Sequence, residues 1–238
     1  MDALAAGFWG FVGGASLLIG ALMGLYVGVP QRVTAIIAAA GAGVLVSSVA
    51  FELMEEAYRT GGFYAASIGI LLGALALFTA DWAVCYIGGK HRKRSGGQQA
   101  GGSSTAITIG AILDGIPESV AIGVSLIEGA VMVVAVLLSN VPESLSAASG
   151  TKKAGHTPTY ILGLWATVVA MCALSALFGY LFLAGAPEEL IAAILAFATG
   201  AILTMLASTM FPEAYEEGGH VVGVMTTIGF LVVLSRLE

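Results

Sequence analysis

Charge is what this sequence has least of. Asp, Glu, Lys and Arg make up only 10% of its 238 residues, where a soluble domain carries about 25%. The net charge of −6 says little about partners, because most charges sit between or at the ends of apolar runs. No basic stripe is present, which argues against a nucleic-acid partner. Cysteine occurs twice; Cys85 and Cys172 lie in separate apolar segments and read as small apolar packers, not as a disulfide or a metal pair. The sequence has no His-Glu-x-x-His, no phosphate loop and no nucleophile-base pair, so an enzyme is not expected. Two carboxylates in apolar runs, Glu118 and Glu143, could suggest an aspartyl-type hydrolase, but Glu with an adjacent proline is a poor match for it.

Apolar residues, by contrast, make up 58% of the chain, and the mean hydropathy is +0.96. They fall in runs too long for soluble core helices, so the expected class is an all-α polytopic membrane protein. Eight spans are predicted, at 6–28, 33–54, 63–87, 105–127, 129–150, 159–183, 188–210 and 218–235. Each is near the roughly 20 residues that cross a bilayer. The first run continues to Val29, the length of a true span and not of a cleavable signal. The 33 glycines suit close approach of membrane helices; Gly20 with Gly24 and then Gly28, and Gly69 with Gly73, show that spacing. Trp9, Trp82 and Trp165 read as interface anchors or packers.

Orientation follows from the basic residues. With the N- and C-termini outside, Arg32, Lys90, Arg92, Lys93, Arg94, Lys152 and Lys153 fall on the cytoplasmic side, and Arg59 and Arg236 outside. That is a positive-inside bias, consistent with a multi-pass protein of the cell membrane. Residues 88–104 then form a flexible cytoplasmic loop, with contact to lipid headgroups as a possible second role.

Within 105–150 one pattern occurs twice. Leu113-Asp114-Gly115-Ile116-Pro117-Glu118-Ser119 is echoed 25 residues later by Leu138-Ser139-Asn140-Val141-Pro142-Glu143-Ser144. A carboxylate at bilayer depth costs roughly 2.5–3.5 kcal/mol on insertion scales and usually marks an ion path. Residues four apart share a helix face, which groups Asp114 with Glu118 and Ser139 with Glu143; Asn140 lies near enough to reach the same edge. A proline cannot donate to the carbonyl four residues back, so Leu113 and Leu138 are left with freed oxygens. Because the two spans are joined by a short turn at Glu128-Gly129, their motifs should lie at similar depth. The outcome is a paired, helix-breaking site of oxygen ligands suited to a divalent cation. The competing reading is that the prolines only kink two helices, with the acids protonated or capped by serine hydroxyls.

A second repeat sets the architecture. Glu56-Ala57-Tyr58-Arg59-Thr60-Gly61-Gly62 matches Glu213-Ala214-Tyr215-Glu216-Glu217-Gly218-Gly219 at an offset of 157. One copy ends the second span and the other the seventh, on opposite sides, as inverted repeats require. The predicted plan is 3+2+3: a first repeat at 1–87, the loop at 88–104, a central pair at 105–150 and a second repeat at 159–238. All belong to one transmembrane domain.

Pro-Glu pairs in the fourth and fifth of eight spans, a long loop before the fourth, and the 3+2+3 plan resemble the ZIP family of divalent-metal transporters. The family pattern is His-Asn-x-Pro-Glu-Gly in span four, with a related polar-polar-x-Pro-Glu-Gly in span five. Phe211-Pro212-Glu213-Ala214 and Phe51-Glu52 also look like members of its bacterial branch. The resemblance implies that Asp114 stands at the family's histidine position, Gly115 at its asparagine, and Glu118 and Glu143 at the bridging carboxylates. Ser139 and Asn140 take the polar ligand positions of span five. The chain departs from the family in having no histidine here, since His91, His156 and His220 lie in loops, and no acidic residue in span six. One metal held by Asp114, Glu118 and Glu143 is the expected ligand set. Loss of imidazole favours Mn2+ or Fe2+, while the family favours Zn2+; Cd2+ is a further candidate.

The resemblance implies import of that cation as substrate, with no catalytic cofactor, by alternating access. Spans one, four, five and six would move against two, three, seven and eight, the latter carrying a possible homodimer contact among the lipids. Mouth or relay residues are Glu52, Glu55 and Glu56 outside, and Glu213, Glu216, Glu217 and His220 inside; each also fits a solvated helix end. Asp81 reads as an interfacial residue. The rival readings are a scaffold of this type carrying a substrate other than a transition metal, and a membrane metal sensor that transports nothing.

Overall fold

The computed structural model describes residues 3–89, 104–125, 131–183 and 185–235. The described residues form helices and short turns, with no strand among them. The helices are α1 (Ala3–Tyr26), α2 (Gln31–Ser48), α3 (Glu55–Val84), α4 (Ser104–Ser125), α5 (Val131–Lys153), α6 (Pro158–Leu183), α7 (Glu188–Met205), α8 (Phe211–Gly218) and α9 (Val221–Leu234). Wider π-helical turns follow α2 (Val49–Met54), α3 (Cys85–Gly89) and α7 (Leu206–Met210). Lys90, His91, Arg92, Lys93 and Arg94 of the loop, the Glu128-Gly129 turn and Arg236 lie outside the described residues.

Among the described residues, five helical stretches are long and apolar enough to cross a membrane: Ala3–Tyr26, Gln31–Gly89, Ala106–Val124, Pro158–Leu183 and Glu188–Gly218. The second, of 59 residues, would measure about 88 Å if straight, far beyond the roughly 30 Å of a bilayer core. It is not straight. Gly62, at φ 68° and ψ −178°, interrupts it with a backbone conformation that only glycine adopts without strain. The break expected near Arg59 to Gly62 is therefore a kink at one glycine, with helix on either side. Helix α5 owes its lower hydropathy to Ser139, Asn140, Glu143 and Ser144 through its middle and Lys152 and Lys153 at its end.

Element boundaries repeat at the offset of 157 seen in the sequence. Gly28 and Gly185 both take positive φ. Pro30 and Pro187 then cap α2 and α7 with nearly the same dihedrals, −59°/138° and −55°/143°. Helices α2 and α7 have 18 residues each, and each runs into a π turn. Gly62 and Gly219 close the pattern at φ 68° and 66°.

The most extensive helix pairs are α3 with α7, α1 with α5, α1 with α6, α2 with α9, and α4 with α6. Glycine makes the closest of these possible. A Cβ on Gly73 would overlap the carbonyl oxygen of Phe197, and one on Gly200 that of Ile70, where α3 crosses α7. Gly229 meets Ala40 and Gly43 meets Thr226 in the same way, where α2 crosses α9. Gly20 and Gly24 of α1 lie against the backbone of α5 at Val141 and Leu145. Small residues at helix crossings replace the hydrophobic drive that lipid removes. Gly28, read as part of the α1 packing stripe, instead faces open space and serves a turn.

Candidate functional site

The two motif copies sit in the middle of α4 and α5. Pro117 and Pro142 lie inside these helices without ending either one, so the expected helix break is not formed. Each proline still withholds an N–H from the carbonyl four residues back. The serine that follows each Pro-Glu pair bonds its own helix in the same way. Ser119 Oγ donates to the Gly115 carbonyl at 2.7 Å, and Ser144 Oγ to the Asn140 carbonyl at 2.8 Å. The two serines are therefore committed to backbone and do not cap the carboxylates.

The expected ligand set and the two polar positions of span five are all in the interior. Asp114 is 3% exposed, Glu118 2%, Ser139 0%, Asn140 3% and Glu143 9%. Carboxylates withdrawn this far from water need partners or a bound cation to stay ionised. Asp114 and Glu143, contributed by the two motif copies, line one cavity together. Ala147, Thr151, Ile161 and Trp165 are among its other walls, and its space, open solvent included, is about 320 Å³. Trp165 is thus a buried packer at the site, not an interface anchor. Glu143 also lines a larger cleft of about 520 Å³, open solvent included, with Gln31, Thr34, Glu213, Glu216 and Glu217. One carboxylate thereby joins the buried cavity to an acid-lined opening.

The other members of the set are placed differently. Glu118 is buried one turn from Asp114 but is not among the lining residues of either cavity. Asn140 Nδ2 donates to the Gly13 carbonyl on α1 at 3.2 Å. Ser139 Oγ donates to the Val136 carbonyl at 3.1 Å. Among the described residues no three His, Cys, Asp or Glu side chains stand close enough to hold a metal ion. The geometry brings Asp114 and Glu143 together and leaves Glu118 to one side.

Cys172 belongs to this neighbourhood, which its sequence context did not reveal. Its Sγ lies 3.9 Å from the Gly115 carbonyl, and a Cβ on Gly115 would come within 3.0 Å of that sulfur. It is within electrostatic reach of both Glu118 and Glu143. The signal available in sequence was the empty side-chain position at Gly115, which a residue from another helix fills.

The mouth residues also divide. Glu213, Glu216 and Glu217 line the open cleft. His220 does not: it is exposed, and its Nδ1 stands 3.3 Å from the Tyr215 hydroxyl. Glu56 is ion-paired to Arg59 at 2.6 Å, and Glu55 is exposed. Glu52 is half-buried within the π turn Val49–Met54. Asp81 is half-buried, with Cys85 Sγ 3.9 Å from its Oδ2. Both cysteines are free thiols. At the far end of α5, Lys152 Nζ donates to the Leu25 carbonyl, a cation satisfying the end of α1. No protein-family model matches this chain, and no curated protein matches it.

Proposed function

We propose that this chain is an eight-span, ZIP-like importer of divalent metal ions, built as a 3+2+3 inverted repeat. The observation that carries the proposal is the place of Glu143. It shares a buried cavity with Asp114 and an open acidic cleft with Glu213, Glu216 and Glu217. An ion held between Asp114 and Glu143 has oxygen ligands at the start and a file of carboxylates along the way out. On the orientation given by the basic residues, that cleft faces the cytoplasm. The repeat reading is supported by α2 and α7, whose caps, lengths, π turns and closing glycines recur at one offset.

The metal is the substrate. Asp114 and Glu143 supply two carboxylates, and Glu118, one turn away, completes the set when the helices shift. Carboxylate donors suit Mn2+, Fe2+ and Zn2+. A second reading, a harder ion such as Mg2+, is favoured by the lack of a ready three-ligand group among the described residues, since Mg2+ keeps much of its water shell.

Equilibrium binding to the purified protein tests this first. Zn2+, Mn2+, Fe2+ or Cd2+ should raise the melting temperature of the wild type, and by clearly less in Asp114→Ala with Glu143→Ala. Ligand carboxylates must be ionised to bind, so protons compete and affinity should fall between pH 7 and pH 5. Affinity constant over that range would contradict the carboxylate site. A melt insensitive to these four ions but raised by Mg2+ would favour the second reading.

A further inference from the structure

Nearly every helical hydroxyl with a described bond spends it on its own helix. Ser16, Thr34, Ser119, Ser139, Ser144, Thr151, Thr204 and Thr209 all donate to a carbonyl three or four residues back. Ser47 and Ser48 do not. Both are 0% exposed, and neither hydroxyl oxygen has a hydrogen-bond partner. One turn on, Glu52 Oε1 is also buried without a partner. The π turn Val49–Met54 packs against α7, where the buried Thr199 hydroxyl is likewise unpartnered.

The second copy of this segment is an internal control. Thr204 and Thr209 stand at the offset of 157 from Ser47 and Glu52. They donate to the Gly200 and Met205 carbonyls, each at 2.8 Å. The same backbone can therefore satisfy its hydroxyls internally, and in the first copy it does not. Leaving a buried hydroxyl without a partner is costly, and an intramembrane carboxylate costs more. In a π turn the helix widens, so residues four and five apart both lie near one face, and such turns occur often at functional sites. Ser47 and Ser48 then stand one turn below Glu52, and no protein group bonds either hydroxyl oxygen or Glu52 Oε1.

We propose that Ser47, Ser48 and Glu52 form a second cation site, separate from the cavity of Asp114 and Glu143. It takes a hard, partly hydrated divalent ion, with water completing a shell that three side chains cannot fill. Half-burial of Glu52 gives that ion a way in, while the serines at full depth hold it. The inference rests on reading the chain as a cation transporter, and it makes this site a station on the outer approach.

The test is the number of Mn2+ ions bound per purified full-length chain, read from loss of the free Mn2+ resonance signal. Glu52→Gln should bind one fewer ion than wild type. Ser47→Ala with Ser48→Ala, which keeps the charge, should weaken that same ion's affinity by about tenfold or more and leave the other unchanged. Asp114→Ala with Glu143→Ala should lose the other ion and keep this one. Wild-type stoichiometry and affinity in both Glu52→Gln and the serine variant would overturn the site, as would a wild type that binds no Mn2+. Loss of one ion in Glu52→Gln, with none lost in the Asp114 and Glu143 variant, would uphold this site and overturn the central one.

Discussion

Gln31–Met54 and Glu188–Met210 are the same piece of backbone used twice. Each begins at a proline cap, runs as a helix of 18 residues, widens into a π turn and leads to a glycine at positive φ. Their chemistry diverges. The first copy keeps a half-buried Glu52 and two buried serine hydroxyls without partners. The second turns Thr204 and Thr209, which stand where the first has Ser47 and Glu52, back on the helix and places three carboxylates just after it, along the cleft that reaches Glu143. What the two copies share is what crossing another helix demands; what they do not share is their polar side chains. Structure repeats where packing dictates it, and diverges in the polar groups beside the cleft.

Breaking the shared part should have the largest effect. Alanine at Gly43, Gly73, Gly200 or Gly229 would push a methyl group into a carbonyl of the facing helix. Each should destabilise the folded protein by about 3 kcal/mol, by similar amounts in the two copies. Thermal melts in detergent would check this, with Gly163→Ala, which faces open space, near neutral. A low cost at Gly200 and a high one at Gly43 would break the equivalence.

The next effect concerns the central site. Asp114→Ala or Glu143→Ala should each weaken metal binding about 100-fold, the loss of one charged ligand worth roughly 3 kcal/mol. Titration of the purified variants reads it directly. Along the cleft, Glu213→Gln should slow uptake about tenfold, a change of roughly 1.4 kcal/mol, and leave equilibrium affinity for the central ion within twofold or so. An affinity loss as large as that of Glu143→Ala would make Glu213 a ligand and not part of the path.

The last effect is at the closing glycines. Gly62→Ala and Gly219→Ala both put a Cβ on backbone at positive φ with ψ −178° and −150°, a region nearly confined to glycine, at roughly 1–3 kcal/mol each. Equal shifts in melting temperature would sharpen the comparison. Unequal ones would show that the two kinks bear different loads.

Much of this was written in the sequence because membranes simplify it. Apolar runs mark helices, and proline and glycine at Pro30, Gly62, Pro187 and Gly219 mark where they stop or bend. The doubled Pro-Glu motif pointed to buried carboxylates, and Asp114, Glu118 and Glu143 are all in the interior. Sequence spacing could not say that Pro117 and Pro142 leave their helices intact, because neighbouring helices decide whether a proline kink opens. Nor could it place Cys172 against Gly115, a contact between residues 57 apart. The mouth residues divide by partners near in sequence as well as by the cleft they line. Arg59 takes Glu56, Tyr215 holds His220, and the cleft keeps Glu213, Glu216 and Glu217.

The most direct measurement is uptake of Zn2+, Mn2+, Fe2+, Co2+, Cd2+ and Mg2+ into proteoliposomes holding the wild type or Glu118→Ala with Glu143→Ala. Uptake of at least one divalent metal by the wild type, abolished in the double variant with its fold intact, is the expected result. No uptake of any of these metals by correctly inserted wild type would contradict a transporter and leave the buried carboxylates to another use.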